Sequence, residues 1–538
     1  MWQHPENYTP IADSLALSTL VAAVPIVVLL LMIGVLRKPA WMSALAGLGA
    51  ALVIATVAYG MPADLAGRSA LMGAAFGLLP IGWIVYWAVV LYRITLETGN
   101  FEIIKDSIGG LTKDRRLQAM LIAFAFGAFV EGAAGFGTPV AVAAAMLTGL
   151  GFSPFFAAGI CLLANTAPVA FGSIGIPVVT LAGTTGIDEL TLSQWVGRIC
   201  APVSVFIPAY LIMVMGGFRA LKGVLPAAIV CGVGFASVQF LVSNFIGPQL
   251  VDILAALTAI IGLVVLLKVW QPKDNFVLAG EHAVVAEPKK HGLGRTLLAW
   301  SPYLLLVAFV LVWGYGPSKR ALESTNIVFA WPGLHNEITR MAPMVPQPAL
   351  YPANYTFNWL AAAGTACALA TIASALVLRV SVGMYIGILG RVLNQLAFSL
   401  LTIACVLGLA YVMNYSGAVV TLGLAFAATG VMFPFFSALV GWLGVFLTGS
   451  DTSANALFGN LQVVTANQVG VDPAIMAAAN SSGGVMGKMI SLQSLAVAVA
   501  ATGMARSEES KLFRFTVKHS IFLACVLGVI SAIYAYTA

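Results

Sequence analysis

Apolar stretches of about 20 residues, the length of helix that spans a bilayer, recur along the whole chain. Hydrophobic residues make up 60% of the 538 residues and charged residues only 9%, whereas soluble domains carry about 25% charged residues. The sequence therefore predicts an all-α, polytopic membrane protein with roughly 12–14 transmembrane segments. The clearest apolar stretches are 17–36, 41–60, 71–92, 224–244, 249–270, 298–316, 357–378, 396–413 and 519–537.

The basic residues between these stretches predict the orientation of the chain, because Lys and Arg collect in cytoplasmic loops. The basic loops are 37–38, 97–116, 219–222, 271–297 and 506–518, while Arg68 is the one basic residue of the gaps 61–69, 181–193 and 245–248. This alternation predicts that both termini are periplasmic or extracellular. It also predicts a cytoplasmic linker, 271–297, between a first membrane half, 1–270, and a second, 298–538.

Each half contains one apolar segment that Gly, Pro, Ser, Thr and Asn interrupt, 117–180 in the first half and 418–503 in the second. Glu131 and Asp451 precede Gly-x-x-Pro turns in the two segments at nearly the same distance, so the segments align. The charge pattern makes them start from opposite sides, which predicts two inverted-topology repeats, each with a broken helix or re-entrant hairpin. Such paired segments indicate a transport site near the bilayer midplane, because exposed backbone groups are tolerated in a membrane only around a cavity or within protein.

Six ionised groups lie inside membrane-length apolar segments, and the other charges are expected in the gaps. A charge at the bilayer centre costs roughly 2.5–3.5 kcal/mol on insertion scales, so it needs a partner, a cavity or a cargo. The six are Arg93, Arg198, Arg391, Lys488, Glu131 and Asp451. The arginines lie near segment ends and are expected mainly to extend toward the interface. Lys488 lies deeper, where it either binds a substrate carboxylate or forms a permanent ion pair with one of the two acids.

Glu131 and Asp451 are the candidate proton carriers. A carboxyl group in a low-dielectric site holds its proton more readily than in water and can exchange it near neutral pH. The alternative for either acid is a helix cap or a salt bridge. Asp451 is flanked by Ser450, Thr452 and Ser453 and is therefore expected to show proton coupling more cleanly than Glu131. The five histidines fall in loops or at segment ends and offer no rival relay.

Four stretches carry a resemblance to a known family: EGAAGFGTPVAVAAAMLTGLGFSP, ANTAPVAFGSIGIP, SDTSANALFGNLQ and NSSGGVMGKMIS. Over essentially its full length, the chain resembles the bacterial L-lactate permease family, which includes glycolate permeases. The resemblance implies uptake of L-lactate, and often glycolate, with protons across the bacterial inner membrane. The candidate substrate-binding residues rest on their own chemistry: Lys488, Asn165, Thr166, Asn480, Ser481, Ser482, Thr452 and Ser453.

The residues alone leave other functions open. The Ser, Thr and Asn clusters would also suit a sodium-coupled carboxylate transporter, and a channel or an intramembrane enzyme are further alternatives. Against an enzyme, the sequence has no HExxH or GxSxG motif, and against a nucleotide-driven pump it has no Gly-Lys-Ser/Thr motif. No CxxC pair is present, so we expect no metal site, and no cofactor. The expected partners are the monocarboxylate, the proton and the lipid bilayer, without nucleic acid, and the oligomeric state stays open.

Overall fold

The computed structural model describes residues 1–135, 137–274, 276 and 289–538. Within these residues, eleven helices are long and apolar enough to cross a membrane, or twelve if the bent pair Pro154–Ala164 and Val169–Thr185 is one span. The helix Glu189–Phe245 loses helical geometry at Gly216 and Gly217, so it contains two pieces of membrane length. The prediction of an all-α polytopic membrane protein is confirmed.

The first half contains twelve helices among the described residues. They are α1 Leu15–Gly34, α2 Ala40–Val53, α3 Ala63–Phe76, α4 Trp83–Glu97, α5 Asn100–Gly109, α6 Arg115–Gln118, α7 Gly127–Ala133, α8 Thr138–Gly149, α9 Pro154–Ala164, α10 Gly172–Thr185, α11 Glu189–Phe245 and α12 Val251–Val269. A π-helical segment, Gly77–Gly82, joins α3 to α4. It contains Pro80, which has no backbone N–H and cannot continue a regular α-helix.

Residues 115–149 form a helical hairpin, hairpin 1, in the broken segment of the first half. Its first arm is α6, the π-helical segment Ala119–Phe126 and α7, and its second arm is α8. Arg115 Nη1 donates to the carbonyl of Leu150 at 2.5 Å, so both ends of the hairpin lie on the same side of the molecule. Gly135 and Gly137 near the tip have φ of +58° and +80°, a conformation that glycine adopts without steric cost.

The second half contains ten helices among the described residues. They are α13 Leu293–Gly314, α14 Gly316–Glu323, α15 Ala363–Val377, α16 Val382–Ser416, α17 Ala418–Ala427, α18 Phe433–Thr448, α19 Asp451–Val469, α20 Pro473–Lys488, α21 Leu492–Thr502 and α22 Glu509–Thr537. Helices α18 and α19 form hairpin 2, residues 433–469. Gln462 Nε2 of the second arm donates to the carbonyl of Ser437 in the first at 3.3 Å, which fixes the two arms side by side.

Two further spans are interrupted near the middle of the molecule. Helices α9 and α10 meet at 63°, and α20 is separated from α21 by residues 489–491. The first turn of α10 contains Ser173, Ile174 and Gly175 in the left-handed region, with φ of 49°, 60° and 76°. A β-branched residue there is strained by about 1–3 kcal/mol, and such strain clusters at functional sites.

The hairpins and interrupted spans pack across the two halves. Helix α8 of hairpin 1 packs on α21, and the matching helix α19 of hairpin 2 packs on α10. Within the second half, α18 and α20 approach closely because Gly441 and Gly483 face the neighbouring backbone. A methyl group on Gly441 would collide with the carbonyl of Asn480, and one on Gly483 with that of Ala438. The crossed packing brings the two hairpin tips to one cavity.

Short strands at the N-terminus and between α14 and α15 were not predicted. They are β1 Trp2–Gln3, β2 Ile327–Ala330, β3 Ile338–Arg340, β4 Ala349–Leu350 and β5 Asn354–Phe357. They form a three-stranded sheet in the order β1-β3-β4 and an antiparallel pair β2-β5. His4 follows β1, and burial lowers the pKa of its imidazole to about 4. The neutral ring bonds to the carbonyl of Tyr415 at 2.9 Å and fastens the N-terminus to α16.

The predicted linker, 271–297, is described at its ends, since residue 275 and residues 277–288 lie outside the described residues. Buried Arg116 donates to both carboxyl oxygens of Asp274 at 2.7 and 2.9 Å, which holds the start of the linker against α6. These hydrogen bonds lower the pKa of the Asp274 carboxyl group. Near its other end, His291 Nε2 lies 2.8 Å from Asp106 of α5.

Candidate functional site

A cavity of about 140 Å³ opens where the tips of the two hairpins meet the interruptions of the other two spans. About 10–15 Å³ of such space holds one water molecule, so this cavity accommodates several waters or one small organic ion. Charged and hydroxyl side chains from both halves reach it. The polar residues in its wall are Glu131, Ser173, Ser399, Thr402, Thr448, Ser450, Asp451, Thr452, Ser453, Lys488 and Gln493.

Lys488 is the one cation of the cavity wall among the described residues. It is the last residue of α20 and only 7% exposed. Its Nζ donates to the carbonyl of Gly449, at the tip of hairpin 2, over 2.6 Å. Its charge interacts with Glu131 and Asp451, but neither carboxylate approaches within the 4.0 Å of an ion pair. An ammonium group has three donors, so the bond to Gly449 leaves it able to bind an anion in the cavity.

Glu131 lies in the last turn of the first arm of hairpin 1. Its Oε2 accepts a hydrogen bond from Asn165 Nδ2 at 3.2 Å. Gly172 gives the carboxyl group room, since a Cβ there would lie 2.6 Å from Oε1. The C-terminal end of a helix carries the negative end of its dipole. The helix therefore opposes a negative charge on Glu131.

Asp451 has the opposite relation to its helix, because it is the first residue of α19. Its Oδ2 accepts hydrogen bonds from Ser481 Oγ at 2.7 Å and from Asn455 Nδ2 at 3.5 Å. Oδ1 has no partner among the described residues, and it lies against Gly484, where a methyl group would collide with it. The positive end of the helix dipole and the two donors stabilise a negative charge at this position.

A chain of buried amides supports the carboxyl group of Asp451. Asn455 Nδ2 also donates to the carbonyl of Pro177 in α10 at 3.1 Å, which links hairpin 2 to the first half. Asn480 Nδ2 donates to Asn455 Oδ1 at 2.9 Å, and Gln462 Nε2 donates to Asn480 Oδ1 at 3.0 Å. Because the same groups serve as donor and acceptor in turn, the network fixes the orientation of each amide.

Three interrupted helices begin at the cavity. The first turns of α10, α19 and α21 contribute Ser173, Thr452 and Gln493 to its wall. Helix N-termini present unpaired backbone N–H groups and the positive end of the dipole, and this combination attracts anions. The positive charge of Lys488 and these N-termini therefore act on the same space.

The structure separates the sequence-predicted site residues into three groups. Those that line the cavity are Glu131, Asp451, Thr452, Ser453 and Lys488. Those that lie outside the cavity wall and bond to the two acids or to the amide network are Asn165, Asn480 and Ser481. Thr166 and Ser482 are buried elsewhere, and the hydroxyl of Thr166 bonds to the carbonyl of Leu163 in its own helix at 2.8 Å.

The three arginines inside apolar segments bind other partners and do not line the cavity. Arg391 forms an ion pair with Glu97 at 2.5 Å, and Arg93 donates to Gln395 at 2.8 Å. Arg198 donates to Asn244 at 2.9 Å and lies over the ring of Trp195. These contacts explain why the three charges are tolerated without a role in the site.

Sequence reasoning missed several polar residues of this region. Asn455 lies one helical turn after Asp451, and this spacing could have revealed it once α19 was known to begin at residue 451. Asp252 lies inside the apolar stretch 249–270 and is 1% exposed, so the expectation that all other charges fall in the gaps was wrong. Ser173 and Gln493 reach the cavity because their helices are interrupted there, which periodicity alone does not reveal.

Known proteins are similar to this chain over almost its whole length. Residues 18–538 match the family described as L-lactate permease. The L-lactate permease of Bacillus subtilis is 50% identical, with 98% of each chain covered. Glycolate permease GlcA of Escherichia coli is 46% identical and covers 99% of this chain and 98% of its own. Among solved structures, the YdaH transporter of Alcanivorax borkumensis is similar over 86% of each chain, with 15% identity and a TM-score of 0.45.

Proposed function

The chain belongs to the L-lactate permease family, and we propose that it takes up L-lactate or the related 2-hydroxy acid glycolate together with protons. It is a multi-pass membrane transporter rather than an enzyme, and relatives of known name are permeases for L-lactate and for glycolate. The bacterial inner membrane is its proposed location, with the linker 271–297 in the cytoplasm and both termini outside.

The observation that carries the proposal is the ammonium group of Lys488 in the central cavity, which has no carboxylate within ion-pair distance among the described residues. A buried cation without an ion-pair partner is expensive in a membrane protein unless a cargo supplies the counter-charge. The substrate carboxylate would supply it, with a charge-assisted hydrogen bond from Nζ. The hydroxyl groups of Thr452 and Ser453, which face the same cavity, are suited to the 2-hydroxyl group of the substrate.

Glu131 is the proposed proton-coupling residue. The negative end of its helix opposes an ionised carboxylate, and Asn165, its one donor in the described part of the chain, provides little compensation. A proton on Glu131 removes this unfavourable charge. The neutral form is therefore suited to the step in which the loaded hairpins reorient, since uncharged groups cross a low-dielectric environment at lower cost.

Asp451 is the proposed partner of the binding site and a secondary candidate for coupling. Its position at a helix N-terminus and its donors Ser481 and Asn455 favour a negative charge more than the surroundings of Glu131 do. Such a charge holds Lys488 protonated and oriented toward the cavity. The sequence favours Asp451 as the main proton carrier. The surroundings of the two acids instead support Glu131 as the proton carrier and Asp451 as part of the substrate site.

Uptake of radiolabelled L-lactate into proteoliposomes tests the proposal. An inward proton gradient is expected to drive accumulation that unlabelled glycolate reduces by competition. Transport of one proton with one lactate anion moves no net charge, so a membrane potential, which acts on charge by about 2.3 kcal/mol per 100 mV, should change it little. Accumulation driven by a sodium gradient at uniform pH would contradict proton coupling, and equilibration without accumulation under any gradient would indicate a channel.

A further inference from the structure

Asp252 is a third buried acid near the cavity, and no role described so far uses it. It is the second residue of α12 and 1% exposed. Neither of its carboxyl oxygens has a hydrogen-bond partner among the described residues. Burying a carboxyl group without a partner costs several kcal/mol. A buried group without a partner therefore calls for an explanation, and a catalytic or transport role is one.

A structural role as a helix cap does not account for Asp252. Acids at the starts of other helices do cap them. Asp188 accepts from the backbone N–H of Thr191 at 2.9 Å before α11, and Asp472 accepts from that of Ala474 at 2.7 Å before α20. The carboxylate of Asp252 makes no such bond. Its position therefore resembles a cap in sequence but not in structure.

The groups around Asp252 point toward Glu131. Helices α7, α10 and α11 pack against α12. A Cβ on Gly132, the residue after Glu131, would lie 2.7 Å from the Cβ of Asp252. Helices α7 and α12 are therefore in direct contact beside the coupling residue. The charge of Glu131 interacts with Asp252, and so does the thiol of Cys200 on α11. No cation acts on Asp252 from the described residues that surround it.

Asp252 also lies toward the end of the molecule where α12 begins. The loop 246–250 precedes it, and Pro248 of this loop packs against the left-handed turn of α10, within 2.8 Å of a Cβ placed on Gly175. In that loop, Gln249 Nε2 donates to Glu189 at the start of α11 at 2.5 Å. Asp252 therefore lies between this loop, in which Ile246 is exposed and Gln249 is partly exposed, and Glu131 at the cavity.

We propose that Asp252 is a proton-relay residue that exchanges a proton between this face of the molecule and Glu131. In the relay step, the O–H bond of the Asp252 carboxyl group breaks and an O–H bond forms on the Glu131 carboxylate, directly or through one water molecule. Only the proton moves, so the charge of the pair is conserved. The inference rests on the proposed function, because it assigns the route by which the coupled proton arrives.

The test compares two activities of Asp252→Asn in proteoliposomes. Accumulation of lactate under a proton gradient is expected to fall about a hundredfold, the lower end of what positioned proton-transfer groups contribute in enzymes. Exchange of labelled for unlabelled lactate at equal pH is expected to stay within about twofold of the unmodified protein, since the binding residues are untouched. Asp188→Asn is the matched control, because it removes an acid at the same face and keeps a capping side chain.

Asp252→Glu keeps a titratable group and is expected to recover part of the proton-driven accumulation. Unchanged accumulation in Asp252→Asn would overturn the relay. So would an equal loss of exchange and accumulation in both variants, because that pattern indicates a structural role. If the unmodified protein itself fails to accumulate lactate under a proton gradient, the proposed function falls and the relay with it. A failure of the relay alone leaves the unmodified protein fully driven by the gradient.

Discussion

The two hairpins place an acid at the same cavity but at opposite ends of a helix. In hairpin 1, Glu131 lies in the last turn of the first arm and accepts one hydrogen bond from the described residues, that of Asn165. In hairpin 2, Asp451 is the first residue of the second arm and accepts two, from Ser481 and Asn455. The helix dipole opposes charge on the first acid and stabilises it on the second.

The two hairpins therefore do not provide equivalent sites. Hairpin 2 has the features of a fixed ion-binding site: a helix N-terminus, a cation of α20 that contacts its tip, and a network of buried amides shared with α20. Hairpin 1 contains an acid with few donors beside a second acid, Asp252, that has none among the described residues. We infer that one repeat holds the substrate and the other moves the proton.

The largest effect is expected for Lys488→Ala. Loss of one partner of a buried charge-assisted hydrogen bond costs about 2–5 kcal/mol, so the apparent affinity for lactate should fall at least about thirtyfold. Both exchange and proton-driven accumulation should disappear, while the protein still reaches the membrane. Lys268→Ala, at an exposed position near the end of α12, is the matched control and should transport normally. Undiminished lactate affinity in Lys488→Ala would remove this residue from the site.

A smaller but similar effect is expected for Asp451→Asn. The amide keeps the shape of the side chain but removes the negative charge that interacts with Lys488 across the cavity, and one of its hydrogen bonds must rearrange. Affinity for lactate and the rate of lactate exchange should both fall about tenfold. Exchange kinetics over a range of lactate concentrations measure this directly. An Asp451→Asn variant that exchanges normally and loses only accumulation would reverse the roles assigned to the two hairpins.

The smallest effects are expected for the amide side chains that bond to the two acids. They are measured as changes in thermal stability. Asn455→Ala leaves Asn480 Nδ2 without its partner and removes the bond to the carbonyl of Pro177, and a buried group without a partner costs about 1–3 kcal/mol. Asn165→Ala removes a side chain that makes a single bond to Glu131, so its cost should be about 1 kcal/mol. Thermal unfolding of the two purified variants in detergent gives the comparison. An equal or larger loss in Asn165→Ala would show that hairpin 1 is supported as strongly as hairpin 2.

Much of the fold followed from the sequence because its causes are local. Apolar length predicts membrane-spanning helices, and Gly-x-x-Pro turns at matching distances from Glu131 and Asp451 predicted the paired interruptions. Local sequence also indicates that Glu131 lies near the end of a helix and Asp451 at the start of one. Gly449 and Ser450 end one helix and cap the next immediately before Asp451, whereas glycines follow Glu131.

The rest depended on contacts between residues far apart in sequence. Asn455 meets Asn480 and Pro177 through packing of α19 on two other helices, and no spacing rule connects them. Thr166 and Ser482 are polar residues in the predicted segments but face away from the cavity, since polarity does not specify the side of a broken helix. Asp252 resembles an ordinary helix cap in sequence, and only its missing hydrogen bonds reveal it.

The division between the hairpins is tested most directly by Glu131→Gln, with proton-driven accumulation and lactate exchange measured in the same proteoliposomes. Glutamine keeps the shape and the bond to Asn165 but cannot carry a proton. We expect this variant to lose proton-driven accumulation while its lactate exchange stays within about twofold of the unmodified protein, because a permanently neutral carrier still binds and reorients. Full gradient-driven accumulation in Glu131→Gln would contradict the claim that hairpin 1 moves the proton.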